Sequence, residues 1–135
     1  MIKLYDYILS GSCYKVRLML NILNIEYEVV PVDFYPGLEH KKPEMLALNP
    51  LGQLPVMVDG DLVLRDAQSI LVYLASKFDD SNSWFPDDAA ARGQVAMWTA
   101  FGGGEIMAAS AARLHDVLNY PFDIDQQRKS AHAAF

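Results

Sequence analysis

Apolar and polar positions alternate and regroup along this chain in a way that sketches its elements before any chemistry is considered. Ile2 to Tyr7 mixes β-branched, aromatic and apolar residues and stops at Ser10-Gly11-Ser12, which predicts a strand, a turn and a helix cap. Val16, Leu18, Met19, Leu20, Ile22 and Leu23 then cover most of a helix surface, as suits a helix lying on a sheet, and this helix is expected to end near Asn24. Tyr27, Val29, Val30 and Val32 form a second short strand, so the first thirty residues predict a βαβ unit with parallel strands. The chain turns polar from Phe34, carries Pro36-Gly37 and includes a short helical patch at Glu44 to Leu48, a surface connection of the kind found beside sites. Val56-Met57-Val58 and Leu62-Val63-Leu64 flank Asp59-Gly60, the signature of a hairpin with a primed turn. Beyond Asp66, the residues Ile70, Leu71, Tyr73, Leu74 and Phe78 recur at helical spacing behind an acidic cap. The predicted order is βαβαββα.

A polar run with Asn, Ser and Pro follows, and residues 82–86 are the expected linker between a domain at 1–81 and a second at 87–135. No strand pattern appears after it. Val95, Trp98, Phe101 and Ile106 predict one helix, and another is expected to start at Asp123 after Pro121. Gly102-Gly103-Gly104 inside the first of these costs about 1 kcal/mol per glycine against Ala, which predicts a kink or a close backbone contact.

Composition narrows the function classes. Hydrophobic residues make up 52% of the 135 and charged residues 21%, a globular balance. The longest strongly apolar stretch, Ile70 to Ala75, is far short of the roughly 20 residues that cross a bilayer, and nothing signals export, so a cytoplasmic setting is expected. The formal net charge of −6, with its 11 Lys and Arg residues scattered, argues against nucleic acid as a partner. Cys13 is the only cysteine, which excludes an internal disulfide and a cysteine metal cluster. An acidic protein that binds a small anion must do so through local groups such as helix N-termini.

Three runs carry a specific signal: Ser10-Gly11-Ser12-Cys13-Tyr14-Lys15-Val16-Arg17, Ala47-Leu48-Asn49-Pro50-Leu51-Gly52-Gln53-Leu54-Pro55-Val56, and Leu64-Arg65-Asp66-Ala67-Gln68-Ser69-Ile70-Leu71-Val72-Tyr73-Leu74. In order and spacing they resemble the cytosolic glutathione transferase family, of the bacterial, serine-using type with a zeta- or theta-like N-terminal motif. The resemblance implies an α/β thioredoxin-like N-terminal domain followed by an all-α domain, glutathione as co-substrate without a metal, a small hydrophobic electrophile as second substrate, a role in detoxification, and a homodimer. The family's helical domain continues through further helices, so a truncated member or fragment is expected.

The residues support the same chemistry. A hydroxyl at the mouth of a helix can donate to a bound thiolate while the helix dipole favours the negative charge. A hydrogen bond to a charged group contributes about 1.5–3 kcal/mol and the dipole about 0.3–1 kcal/mol, together roughly 1–3 pK units. A thiol with an ordinary pKa of about 8.5 is then largely the nucleophilic thiolate at neutral pH. Ser10 stands where the resemblance places that donor, and Ser12 is its rival; either serine alone could instead cap the helix, a role assigned to Ser12 if Ser10 is the donor. Cys13, one turn into the helix, reads as a small packing group and not as a nucleophile.

For the peptide part of glutathione, the resemblance implies a cis Leu54–Pro55 bond with the Leu54 backbone turned to the ligand, Gln53 adding an amide and His40 a contact to the glycine carboxylate. A loop histidine is as often solvated and idle. Asp66 implies a receiver for the γ-glutamyl ammonium, and it also reads as a plain N-cap. Ala67 stands where the family usually has a serine that holds the γ-glutamyl carboxylate, which leaves backbone donors and predicts weaker binding, by about tenfold or more. Met97, Trp98, Phe101, Met107, Tyr120 and Phe122 could line an apolar pocket for the electrophile or form ordinary core. Three functions follow: transfer of glutathione to an electrophile, glutathione-dependent isomerisation, or a non-catalytic glutathione-fold binding module.

Overall fold

The computed structural model describes residues 1–121 and 123–133. The chain divides into two compact units, Met1–Phe85 and Pro86–Phe135. In the first, β1 (Ile2–Asp6), α1 (Gly11–Ile22) and β2 (Tyr27–Pro31) are followed by a 3-10 turn at Glu39–Lys41, α2 (Pro43–Leu48), β3 (Val56–Asp59), β4 (Leu62–Leu64) and α3 (Ala67–Phe78). The sheet order is β2-β1-β3-β4; β1 and β2 run parallel, and β3 is antiparallel to both β1 and β4. The element order βαβαββα is the one the hydrophobic pattern predicts, and the mixed sheet is the thioredoxin-like one that the resemblance implies.

Strand periodicity assigns the two faces. Ile2 and Leu4 of β1 and Met57 of β3 are buried against Val16, Met19 and Leu20 of α1 and Ile70 and Leu74 of α3. Tyr5 and Val56, one residue out of phase, point to the other face and pack with Met45 and Leu48 of α2 and with Val32. Asp6 continues the inward face of β1 and is buried there, a charge that the period of two carries into the core side. The β3–β4 loop is Gly60-Asp61, with Gly60 at φ +59° and Asp61 outside the left-handed region, the pattern of a type II′ turn.

Helix α1 departs from the even apolar coverage predicted for it. Only the stripe Cys13, Val16, Met19 and Leu20 is buried, while Tyr14, Leu18 and Ile22 lie exposed on another stripe, because a single face of α1 meets the sheet and α3.

At the far end of the hairpin, the Tyr73 hydroxyl donates to Asp59 Oδ2 at 2.7 Å, and Lys77 Nζ donates to the same oxygen at 2.6 Å and to the Tyr73 oxygen at 2.8 Å. These bonds, Lys77 first, hold the Asp59 carboxyl below its ordinary value. A depressed folded-state pKa gives stability that is complete above the ordinary aspartate pKa, about 3.9, and is lost as pH falls through the folded value. Lys77 is half exposed, so Asp59→Asn is expected to cost only about 1 kcal/mol at pH 7. Urea midpoints measured at pH 6 and pH 3 are expected to differ less in the variant than in the parent.

The second unit contains α4 (Ala89–Gly103), α5 (Met107–Leu118) and α6 (Ile124–Ala133). Asp88 caps α4 by accepting from Ala91 N, and Asp123 accepts from Gln126 N at the start of α6, where a helix start was predicted. The single helix predicted through Ile106 is in fact two. Gly102 and Gly103 close α4 and Gly104 is its C-cap, so the glycine run is a helix end, where glycine is at home, and not a kink within one helix. α5 and α6 pack on each other, with Arg128 paired to Asp116 at 3.0 Å. No described residue of these three helices is buried. Met97, Trp98 and Met107 are exposed, Trp98 to 65%, so they are neither the lining of a closed pocket nor core; Phe101 and Tyr120 are half-buried, and Phe122 lies outside the described residues.

Candidate active site

The registers bring the three motif runs to one end of the sheet. Tyr5 of β1 pairs with Val56 of β3, so the β1–α1 loop leaves the sheet beside the residues that enter β3. Leu64 of β4 pairs with Met57, so the entry to α3 lies at that end as well. A contact between residues 53 positions apart closes the arrangement: Lys15 Nζ, in the first turns of α1, donates to Gln68 Oε1, in the first turn of α3, at 2.9 Å.

Ser10 is the N-cap of α1. It has extended backbone angles, its Oγ accepts from Cys13 N at 3.2 Å, and its carbonyl accepts from Tyr14 N at 2.9 Å. Ser12 sits inside the first turn. The cap role assigned to Ser12 therefore belongs to Ser10, the residue with non-helical backbone geometry at the boundary. Capping does not consume the Ser10 proton, because a hydroxyl has one donor besides its acceptor lone pairs. Both roles fit one side chain.

The loop that carries Ser10 is braced by an ion pair that its sequence does not announce. The buried Asp6 carboxylate pairs with Arg17 of α1, and Arg17 Nη2 also donates to the Ile8 carbonyl at 3.1 Å. An apolar-alternating strand that ends in Asp, with Arg on the buried side of the next helix, is the signal that would have found it.

Cys13 is fully buried. Burial pushes its thiol up to about 11, against the opposing hydrogen bonds from Ser10 and Tyr7. Its sulfur is thus a packing group, and negligible reaction with an aromatic disulfide reagent at pH 8 is expected in the folded protein, against one thiol titrated in urea.

The Leu54–Pro55 bond is cis. Pro55 is buried and Leu54 half-buried, and the pairing of β3 to β1 begins at Val56, which leaves Leu54 outside the ladder. Two residues outside the predicted site, Asn49 and Lys41, hold this approach. Asn49, fully buried, donates through Nδ2 to the Gln53 carbonyl at 2.9 Å and accepts from Leu51 N at 3.1 Å, satisfying a polar side chain inside the fold. Lys41 Nζ donates to the carbonyls of Leu51 and Gly52, both at 3.1 Å. Gly52, at φ +55°, has no room for a Cβ against Lys41 and the His40 carbonyl. The Gln53 side chain is exposed.

His40 is not a solvated loop residue. It is 1% exposed, its ring stacks on Phe34 at 4.0 Å between centroids, and Phe34 in turn meets Tyr7. Its Nδ1 is buried without a hydrogen-bond partner, and burial, with Lys41 beside it, lowers its pKa. A neutral ring under an aromatic cover is poorly suited to the carboxylate contact expected of it.

At the third run, Asp66 is the N-cap of α3, its Oδ1 accepting from Ser69 N at 2.9 Å. The Ser69 hydroxyl donates back to the Asp66 carbonyl at 2.8 Å, so it is turned into its own cap and does not replace the missing serine. Ala67 is buried in the main core. Among the described residues, no group of three or more His, Cys, Asp or Glu could hold a metal ion, and no helix is long and apolar enough to cross a membrane.

This fold and this convergence define a thioredoxin-like domain whose three motif runs meet at one end of the sheet. Residues 4–82 match the family described as the glutathione S-transferase N-terminal domain, and the chain belongs to the glutathione S-transferase family. It is 41% identical over 90 residues to glutathione S-transferase 1 of Dianthus caryophyllus, an alignment that takes in 67% of this chain and 40% of the relative. The aligned segments span 35–43% of this and two further relatives, and nearly the whole chain, aligned at 31% identity with glutathione S-transferase F13 of Arabidopsis thaliana, spans 59% of that protein. The solved glutathione S-transferase of Pseudomonas fluorescens superposes with a TM-score of 0.84 at 29% identity, over 98% of this chain and 67% of that one. A glutathione transferase homolog from Lodderomyces elongisporus, solved with two GSH per subunit, superposes with a TM-score of 0.83 at 26% identity, over 98% of this chain and 66% of that one.

Proposed function

We propose that this protein binds glutathione at the end of the sheet formed by the three runs and transfers its thiolate to a small hydrophobic electrophile, as a serine-using, zeta- or theta-like member of the family acting in cytoplasmic detoxification. The observation that carries the reading is the half-buried Ser10 hydroxyl at the start of a 12-residue helix, at the same end as the cis Leu54–Pro55 turn and the Asp66 cap. In this reading Ser10 donates to the thiolate, the Leu54 backbone and the Gln53 amide take the cysteinyl part, and Asp66 takes the γ-glutamyl ammonium. His40 contributes through its packing on Phe34. The exposed Met97 and Trp98 of α4 support a homodimer, since large apolar side chains gathered on a surface are usually covered.

Ala67, which has no polar side-chain atom to donate to the carboxylate, favours a second reading, a glutathione-fold binding module without turnover. Calorimetric titration with glutathione, followed by turnover of 1-chloro-2,4-dinitrobenzene and of a cis-unsaturated diacid, tests all three functions. Binding with conjugation supports transfer; binding with diacid isomerisation alone supports an isomerase; binding without either leaves the module; no binding removes the proposal. A monomer by light scattering at high concentration would remove the dimer.

A further inference from the structure

Lys15 stands in the first of the three runs without an assigned role, and its side chain reaches the helix that Asp66 caps. Lys15 is half-buried on α1 and crosses to α3, where it donates to Gln68 two residues beyond Asp66. Its charge is close enough to Asp66 for the two to interact electrostatically, while burial alone would disfavour the ammonium. A cation that reaches the first turn of α3 and the anionic cap of that helix therefore share one edge of the proposed cleft. An amino-acid head group carries the complementary pair, an α-ammonium and an α-carboxylate on one carbon, so two charges of opposite sign held close together match it in both parts. Asp66 spends Oδ1 on the α3 cap. Ala67 has no polar atom to offer, and the Ser69 hydroxyl is engaged with the Asp66 carbonyl.

We propose that Lys15 receives the α-carboxylate of the γ-glutamyl residue, taking the place of the serine absent at position 67. The assignment rests on glutathione binding as proposed above and adds a specificity: this site reads the carboxylate by charge, through α1, and not by a hydroxyl on α3. Lys15 can reach it by exchanging its bond to the neutral Gln68 amide for one to a charged acceptor, which is the stronger bond.

Three ligands separate the contributions: glutathione, glutaryl-cysteinylglycine, which lacks the ammonium, and 4-aminobutanoyl-cysteinylglycine, which lacks the α-carboxylate. Lys15→Gln removes the charge while keeping a polar group for Gln68, and Lys15→Arg keeps the charge. Lys15→Gln is expected to weaken glutathione and the glutaryl analogue by about ten- to a hundredfold and the aminobutanoyl analogue by less than about twofold, with Lys15→Arg recovering most of the loss. Equal weakening of all three ligands would assign Lys15 to holding α1 against α3 and overturn the proposal. Unchanged binding of all three would overturn it too, leaving glutathione binding itself intact. If the parent protein binds none of the three, both this assignment and the proposed function fall together.

Discussion

Arg17→Met is expected to lose about 3–5 kcal/mol of folding stability, as breaking a buried ion pair does. The reason is positional. Period-two alternation turns Ile2, Leu4 and Asp6 to the same face, and the third of these is a carboxylate with 6% of its side chain exposed. Arg17, at 15%, is the cation paired with it and also satisfies the Ile8 carbonyl. Methionine fills much of the volume of the arginine stem but leaves the Asp6 carboxylate buried and unpaired. Replacing both partners by apolar groups removes that penalty, so Asp6→Leu combined with Arg17→Met is expected to be more stable than Arg17→Met alone. Urea unfolding with a common m-value gives the comparison. A loss under about 1 kcal/mol in the single variant would make this an ordinary surface pair. Because the pair ties the end of β1 and the second turn of α1 to the loop between them, the same substitution is expected to loosen Ser10, which lies in that span.

What the sequence shows and what it hides divide along the range of the forces involved. The βαβ unit, the hairpin and the three helices of the first unit are local: alternation, the Asp59-Gly60 turn and the acidic cap at Asp66 each act within a few residues. The family runs placed Ser10, Leu54 and Asp66 at one end because strand order follows from their elements. The surroundings of those residues were not legible. His40 is buried by Phe34, whose ring position depends on the path of an irregular loop, and Lys15 meets Gln68 across 53 residues. The cap is Ser10 and not Ser12 because Ser-Gly-Ser offers two hydroxyls two residues apart, and only the backbone angles fix which of them stands at the boundary. In the second unit the apolar residues from Val95 to Ile106 continue a helical spacing across the glycine run, and spacing alone does not register a helix end at Gly103 followed by a new start at Met107.

Ser10→Ala is expected to act twice, and the two effects are separable. Loss of the N-cap acceptor leaves Cys13 N without its partner, at a cost of about 1 kcal/mol in stability that is independent of any ligand. In the proposed function, loss of the donor also acts on bound glutathione: a thiolate deprived of one hydrogen bond is expected to have its pKa raised by about 1–2 units. A group whose charged form is stabilised by a donor is ionised at lower pH, so removing the donor shifts ionisation upward; the conjugation rate then falls about ten- to a hundredfold near pH 7 and recovers as pH rises through the new value. Glutathione affinity at low pH, where the thiol is protonated in both proteins, is expected to stay nearly constant. Ser12→Ala is expected to show neither the stability loss of a cap nor the shift, since Ser12 lies within the helical turn. Ultraviolet absorbance of the bound thiolate, titrated from pH 5 to 10 in the parent and both variants, separates the outcomes. A shift confined to Ser12→Ala would move the donor role two residues along the chain. A stability loss in Ser10→Ala without any change in titration would reduce Ser10 to a cap, and the site would then rely on the helix dipole alone, worth about 0.3–1 kcal/mol and too little to keep the thiol largely ionised at neutral pH.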